Sequence, residues 1–185
     1  TSLLYRTIRS IEDQNLHVIL YGDRGIGKTS VLKVVQELAQ KASYIVQYVS
    51  CGEESTFCEV FRSVANHIPS LYDARYDPSL NEVESGGSLA DRLPAGDFSV
   101  SQLSEAFANI VGTRVLIVLD EFDRSEMQHF RRAIGELIKN LSDRSIRVQL
   151  LIAGVASNLT DLIAYVPSIR RNIVGIAVPN MSDEE

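Results

Sequence analysis

The stretch VILYGDRGIGKTS, residues 18–30, constrains the fold more tightly than any other part of the chain. Apolar residues run directly into a segment with three glycines, one lysine and two hydroxyl side chains. Gly22, four further residues, Gly27, Lys28 and Thr29 fit the loop pattern G-x-x-x-x-G-K-[ST]. Glycine suits such a loop because the backbone turns through positive φ and comes close to an anion. The pattern therefore predicts a strand, a phosphate-binding loop and a helix in that order.

The predicted loop assigns roles to both its backbone and its side chains. Successive N–H groups and the N-terminus of the next helix form a concave anion site. In that geometry Lys28 reaches the β- and γ-phosphates of a nucleotide, and the Thr29 hydroxyl binds Mg²⁺. The predicted nucleotide-binding residues are Gly22, Asp23, Arg24, Gly25, Ile26, Gly27, Lys28, Thr29 and Ser30. The alternative is an ordinary glycine turn with Lys28 in solvent, and the apolar strand and helix patterns on either side argue against it.

Composition and charge limit the class of protein. The 185 residues suffice for one domain, predicted over residues 1–185, and 45% hydrophobic with 23% charged residues is typical of a soluble globular protein. A net charge of −6 gives no overall field that attracts nucleic acid, although a local basic face is compatible with it. No apolar run is long enough to span a bilayer, and Cys51 and Cys58 lack metal-ligand spacing. We therefore expect a cytoplasmic protein with no membrane partner.

Short apolar runs alternate with helical patterns along most of the chain. The predicted strands are residues 16–21, 44–49, 114–119, 148–153 and 173–178. The predicted helices are an early one before the first strand and residues 29–41, 56–68, 101–111, 125–141 and 158–165. The helix at 125–141 has an apolar stripe of Met127, Phe130, Ile134, Leu137, Ile138 and Leu141. Because strands apolar on both faces alternate with helices, the sequence predicts an α/β three-layer sandwich around a parallel five-stranded sheet.

Residues 69–99 depart from this alternation. They contain three prolines and three glycines and few sustained apolar patterns. A connection of this length inside a compact domain is typically functional or mobile. We interpret residues 69–99 as a loop-rich insertion within the core domain, either functional or a tolerated addition to the surface.

A second motif, RVLIVLDEFD at residues 114–123, is an apolar run that ends in carboxylates. A buried strand of an open α/β sheet delivers the residue at its C-terminal tip to the ligand crevice. There Asp120 can hold Mg²⁺ beside Thr29, and Glu121 can orient a water for attack on the γ-phosphorus. The alternative is an acidic pair at the N-terminus of a helix, stabilised by the helix dipole. The presence of the phosphate loop in the same chain favours the catalytic interpretation.

The sequence lacks the elements that mark a GTPase. It contains no D-x-x-G, and the nearest match to N-K-x-D is NLTD at residues 158–161, which lacks the lysine. Small-molecule kinases also use the phosphate loop, but they rarely need a glutamate directly after the aspartate that ends the strand. By elimination, the sequence predicts ATP with Mg²⁺ as the bound nucleotide.

Four stretches relate the sequence to a known family: GDRGIGKTS, VLIVLDEFD, LLIAGVASN and PSIRRNIVGIAVPNMSDEE. With them the chain resembles the AAA+ and STAND-type P-loop ATPases, particularly the branch of origin-recognition and Cdc6-like proteins and bacterial transposition ATPases. The resemblance covers residues 3–185 except residues 69–99. It implies the P-loop NTPase fold with strand order 5-1-4-3-2, in which the strand at 148–153 lies between the two phosphate-motif strands.

The resemblance also implies further site residues. A polar residue after the fourth strand is the family's first sensor of the γ-phosphate, for which we choose Asn158, with Ser157 as the alternative and a helix cap as the competing interpretation. Arg170 or Arg171 occupies about the place of the arginine that reaches a neighbouring subunit's γ-phosphate, with surface ion pairing as the alternative. The family's helical lid, with its second sensor arginine, is missing from the sequence, so we expect a core domain without a lid.

Three functions are compatible with these motifs. The first is ATP binding and hydrolysis, with Lys28, Glu121 and Asn158 as catalytic residues, coupled to a macromolecular partner. The second is a nucleotide-binding switch or scaffold with negligible turnover. The third is a DNA-associated loader or transposition accessory, which the net charge does not indicate. Neighbouring ATPase domains in a homo-oligomer are further expected partners.

Overall fold

The computed structural model describes residues 2–78 and 86–180. The helices in these ranges are α1 (Leu3–Glu12), α2 (Lys28–Lys41), α3 (Phe57–Asn66), α4 (Val100–Ala108), α5 (Gln128–Asp143) and α6 (Ala156–Tyr165). The strands are β1 (His17–Tyr21), β2 (Ile45–Ser50), β3 (Val115–Asp120), β4 (Val148–Gly154) and β5 (Ile173–Ala177). Short 3-10 helices lie at Ser70–Tyr72, Leu89–Arg92, Phe122–Arg124 and Pro167–Arg171. Within the described residues, every helix is too short or too polar to span a bilayer.

The five strands pair in parallel in the order β2-β3-β4-β1-β5. This is the expected order 5-1-4-3-2 counted from the other side of the sheet, so the prediction is confirmed. β4 separates the two strands that carry the phosphate motifs, because it pairs with β1 on one side and with β3 on the other. Parallel pairs need crossover connections, which here run through helices on both faces of the sheet.

Alternate residues of the buried strands supply two separate cores. In β3, Ile117 and Leu119 belong to the core that contains side chains of α3, α4 and α5. Leu116 and Val118 belong to the core on the other face, with α1 and α2. All six side chains of β3 are buried, which explains why this run is apolar on both faces. The predicted three-layer α/β architecture is confirmed.

One predicted helix begins later than expected. α5 starts at Gln128 instead of residue 125, and Met127 lies before the helix with 41% of its surface exposed. The prediction that Met127 belongs to the apolar stripe is therefore wrong, because the chain first turns through the 3-10 helix at Phe122–Arg124. The other five stripe residues are buried as predicted.

The described parts of the expected insertion, residues 69–78 and 86–99, are tied to the core. Leu89, Leu93 and Phe98 are buried, although they follow no simple period. Asp73 is also buried, and its carboxylate accepts hydrogen bonds from Nε of Arg92 at 2.7 Å and Nε of Arg75 at 3.1 Å. This ion cluster joins the chain on either side of residues 79–85, a part of the expected insertion that lies outside the described residues.

The Asp73 cluster should contribute measurably to stability. Burial alone raises the pKa of Asp73, but hydrogen bonds from the backbone and side chain of Arg75 and from Arg92 outweigh it and hold the pKa below its ordinary 3.8. We predict that Asp73→Asn lowers the free energy of unfolding at pH 7 by about 2–3 kcal/mol, the scale of hydrogen bonds to a charged group. Because a lowered carboxyl pKa stabilises the fold only above that pKa, the difference should shrink as the pH falls below 3.8.

Urea denaturation at several pH values measures this effect. Asp97→Asn is the matched control, since Asp97 is exposed in the same segment and bonds to no described residue. Equal midpoints for the two variants at pH 7 would contradict a stabilising role for the Asp73 cluster.

Candidate nucleotide site

The loop between β1 and α2 lies at the carboxyl-terminal end of the sheet. Gly25 and Gly27 have φ values of +83° and +96°, a region in which residues with a side chain are strained. At Gly22 a Cβ atom would collide with the side chain of Ile26 and lie 3.1 Å from the carbonyl oxygen of Val178. The three glycines are therefore needed for two reasons, backbone conformation at two positions and close packing at the third.

The loop presents unpaired N–H groups to a cavity of about 510 Å³. The N–H groups of residues 25–29 donate no hydrogen bond to any described residue. α2 begins at Lys28 with Gly27 as its N-cap, so the positive end of its dipole lies at the same place. Unpaired N–H groups at a helix N-terminus form an anion site, and its size and position suit the phosphates of a nucleotide.

Lys28 lines this cavity and is held against the loop. Its Nζ atom donates to the carbonyl oxygens of Gly22 and Asp23, each at 2.7 Å. An ammonium group has three protons, so these two bonds leave one for another acceptor. Because carbonyl oxygens are neutral acceptors, phosphate oxygens in the cavity can compete for the other two.

Asp120 ends β3 as a buried carboxylate whose two oxygens have defined partners. Its Oδ2 atom accepts from the Thr29 hydroxyl at 2.9 Å and from the Tyr48 hydroxyl at 2.5 Å. Its Oδ1 atom accepts from the backbone N–H of Glu121 at 2.8 Å. The structure thus brings together Thr29 and Asp120, the two residues predicted to bind Mg²⁺. A carboxylate beside a hydroxyl fits the oxygen ligands that Mg²⁺ prefers.

Glu121 stands at the mouth of the cavity. Its backbone has a φ of +54°, uncommon for a residue with a side chain, and turns the chain from β3 into the following 3-10 helix. Its Oε2 atom accepts from the Ser50 hydroxyl at 2.7 Å and from Nη1 of Arg124 at 3.3 Å. The side chain is 43% exposed, so water reaches the carboxylate.

Charged side chains of both signs surround the cavity. Nε of Arg24, in the phosphate loop, lies 3.0 Å from Oδ2 of Asp123, and Arg124 pairs with Glu121. The Arg24 side chain is 78% exposed, so this ion pair is screened by water and contributes little to stability. These cations can therefore exchange their carboxylate partners for a phosphate at small cost.

Two hydroxyl residues of the site, Tyr48 and Ser50, were not predicted. They lie two residues apart on β2 and so share a face, and Ser50 pairs in register with Asp120. Partial burial of the hydroxyl end raises the pKa of Tyr48, and the hydrogen bond to Asp120 raises it further, so its hydroxyl stays a proton donor although the residue as a whole is partly exposed. The only signal in the sequence is the presence of hydroxyls near the end of an apolar strand. The hydroxyls reach Asp120 and Glu121 because β2 lies beside β3 in the sheet.

The predicted sensor residues do not line the cavity in the described structure. Asn158 is buried, and its Oδ1 atom accepts from the N–H of Val155 at 2.8 Å at the start of α6. The capping interpretation placed Asn158 at the N-cap, but α6 begins at Ala156 with Val155 as its N-cap, so Asn158 is the third helical residue. From that position its side chain satisfies the free N–H of Val155. Ser157 is exposed on the same helix. A sensor role for Asn158 or Ser157 stays a prediction.

Arg170 and Arg171 lie far from the phosphate loop in the topology of the sheet. They end the 3-10 helix at Pro167–Arg171 and precede β5, at the amino-terminal end of the parallel strands. Both side chains are exposed, and Arg171 lines a separate cavity of about 680 Å³ together with Arg114 and Arg147. An action of Arg170 or Arg171 on the nucleotide of a neighbouring subunit stays a prediction.

Comparison with known families and curated proteins gives one match. Residues 1–153 match the family described as AAA ATPase domain. No curated protein matches the chain.

Solved structures share the fold at low sequence identity. The Aeropyrum pernix ORC1 protein in complex with DNA has a TM-score of 0.58 and 16% identity over 95% of this chain and 44% of that one. Cdc6p from Pyrobaculum aerophilum has a TM-score of 0.55 and 15% identity, over 93% of this chain and 43% of that one. A chain from the structure of Drosophila ORC bound to GC-rich DNA and Cdc6 has a TM-score of 0.55 and 16% identity, over 97% of this chain and 57% of that one. The present chain thus spans about half the length of these relatives.

The conformation of the loop predicts a specific cost at Gly27. A Cβ at this position meets no atom within 4 Å, so the cost of Gly27→Ala comes from backbone strain alone. We predict a loss of about 1–2 kcal/mol in the free energy of unfolding, the cost of a left-handed conformation with a side chain. Gly96→Ala is the control, because Gly96 has open space and an ordinary φ. Urea denaturation that finds Gly27→Ala as stable as Gly96→Ala would rule out the left-handed loop conformation.

Proposed function

The chain belongs to the AAA ATPase domain family, and from this premise we propose that it binds ATP with Mg²⁺ and hydrolyses it to ADP and phosphate. The observation that carries the proposal is the convergence of the phosphate loop, Asp120 and Glu121 on one cavity. Binding groups and a carboxylate accessible to water thus lie together, as phosphoryl transfer requires. ATP is preferred over GTP in this proposal because the sequence lacks both GTPase elements.

The loop and the start of α2 supply the binding energy in this proposal. The free N–H groups of residues 25–29 donate to phosphate oxygens, and Lys28 exchanges two backbone carbonyls for oxygens of the β- and γ-phosphates. Thr29 and Asp120 hold Mg²⁺, which when bound offsets the negative charge that develops on the transferred phosphoryl group.

Glu121 is the residue that activates water in this proposal. Its Oε2 atom is occupied by Ser50 and Arg124, whereas Oε1 bonds to no described residue and can accept a hydrogen bond from water. As the water oxygen forms its bond to the γ-phosphorus, the bond to the β,γ-bridging oxygen breaks. The water proton passes to Glu121 and then to solvent, and ADP with inorganic phosphate is released.

The output of this cycle passes to a macromolecular partner. We propose a neighbouring ATPase domain as that partner, with Arg170 or Arg171 reaching its γ-phosphate, since both arginines are exposed and form no ion pair with a described residue. DNA is the alternative partner, because the Aeropyrum pernix ORC1 structure that shares this fold is a complex with DNA. We further propose that residues 1–185 form one core domain, that Asn158 senses the γ-phosphate, and that the domain works in the cytoplasm.

A second candidate function is a nucleotide-dependent switch with negligible turnover. This function is favoured by the two hydrogen bonds that the Glu121 carboxylate accepts from Ser50 and Arg124, because they compete with its use as a base for water. In a switch, bound ATP would alter these contacts without being hydrolysed. The two functions differ in turnover and share the same binding site.

Lys28→Ala tests the binding site itself. We predict that ATP affinity falls at least about 100-fold, because two charge-assisted hydrogen bonds of about 1.5–3 kcal/mol each are lost. The fold should persist, since the ammonium contacts only the loop carbonyls. Calorimetry with ATP, and with GTP as a competitor, measures this. Lys33→Ala, exposed on the same helix, is the control and should bind as the wild type does; unchanged affinity in Lys28→Ala would refute the assignment.

Glu121→Gln separates hydrolysis from binding. The change keeps the size of the side chain and removes its charge, so ATP and Mg²⁺ should still bind while turnover falls by about 10²–10⁴, the contribution of a positioned base. Glu126→Gln is the control, because Glu126 is exposed nearby and does not line the described cavity.

The turnover assay belongs on the longest natural form of the protein, at concentrations that favour self-association. If the wild type hydrolyses ATP and Glu121→Gln matches it, the catalytic role of Glu121 is wrong. If the assembled wild type binds ATP and never turns it over, the switch is the correct function.

A further inference from the structure

The hydroxyl of Tyr48 contacts Asp120, the proposed magnesium ligand, although Tyr48 belongs to neither of the two sequence motifs. Oδ2 of Asp120 accepts two hydroxyl protons, one from Thr29 on α2 and one from Tyr48 on β2. Its Oδ1 atom accepts from the N–H of Glu121. Three donors from three different elements thus determine the orientation of one carboxylate.

We propose that Tyr48 is a positioning residue for the divalent cation, which fixes the Asp120 carboxylate so that Asp120 and Thr29 meet the cation together. This inference rests on the proposed function, because it concerns the Mg²⁺ that accompanies ATP. Outer partners of this kind orient the ligands of metal ions in proteins and strengthen binding without touching the metal.

The roles of the two hydroxyls differ. Thr29 is itself a proposed ligand, so its hydroxyl must reorient its lone pairs when the cation binds. Tyr48 is not a ligand in this scheme, so its bond to Oδ2 can persist in both states. Tyr48 therefore holds the carboxylate in one orientation before and after the cation arrives, which reduces the rearrangement that binding requires.

A purely structural role explains the Tyr48 hydroxyl less well. Tyr48 is 42% exposed, and among the described strands β2 pairs with β3 alone, so the hydroxyl is not needed to fill the core. The pairing of β2 with β3 runs through backbone groups over six residue pairs and is independent of this side chain. The specific effect of the hydroxyl falls on the carboxylate that it contacts.

Tyr48→Phe tests the inference, because it removes the hydroxyl and keeps the ring. A fluorescent ATP analogue is titrated into the protein in EDTA, and then Mg²⁺ is titrated at fixed analogue concentration. We expect the half-saturating Mg²⁺ concentration to rise by about 10-fold, the usual scale for loss of an outer partner. Affinity in EDTA should stay at the wild-type value, and the variant should remain folded at the temperature of the titration.

Tyr5→Phe is the matched control, since Tyr5 is 53% exposed on α1 and its side chain bonds to no described residue. An unchanged or lower half-saturating Mg²⁺ concentration in Tyr48→Phe, with normal binding by the wild type, overturns this inference alone. A loss of affinity in EDTA equal to the loss with Mg²⁺ also overturns it, because it shows a general structural defect. Failure of the wild type to bind the analogue with Mg²⁺ refutes the proposed function, and the inference with it.

Discussion

The hydrogen bond between Thr29 and Asp120 is the contact on which the geometry of the site depends. It joins residues that are 91 positions apart, one at the start of α2 and one at the tip of β3. The two strands that carry these motifs, β1 and β3, do not touch each other, because β4 lies between them. The width of that one strand sets the distance across which the loop and the acidic pair must meet, so the packing of β4 determines whether a cation can be held by both.

The residues that the sequence predicted are those whose place follows from local spacing. Glycine at fixed intervals requires a tight loop, and an apolar run that ends in Asp120 and Glu121 must deliver them to the end of a buried strand. The five-stranded fold followed from alternation of patterns in the same way. Tyr48 and Ser50 were not identified, because their contacts depend on the residue register between β2 and β3 and on the direction of each side chain, and the expected strand order specifies neither.

The difference between local spacing and contacts between elements also explains the predictions for Asn158, Met127 and residues 69–99. Asparagine suits both a helix cap and a sensor of the γ-phosphate, so residue type alone left both roles open for Asn158, and α6 begins at Ala156 instead of the predicted residue 158. Met127 fits a helical period by spacing, yet the 3-10 turn before α5 leaves it outside the helix. The anchors in the described parts of residues 69–99, such as Leu89 and Asp73, follow no period, because the 3-10 helices described there, Ser70–Tyr72 and Leu89–Arg92, are too short for a period to show. Local rules predict elements, and the contacts between elements decide these details.

The position of β4 also has a consequence for how the molecule is made. In the described sheet β1 pairs only with β4 and β5, both of which follow it by more than a hundred residues. A chain leaving the ribosome therefore presents its phosphate loop and its acidic pair well before they can be joined, and long-range parallel pairing of this kind is slow. The contact between Thr29 and Asp120 can therefore form in its final geometry only after β4, the fourth of the five described strands in chain order, lies between β1 and β3.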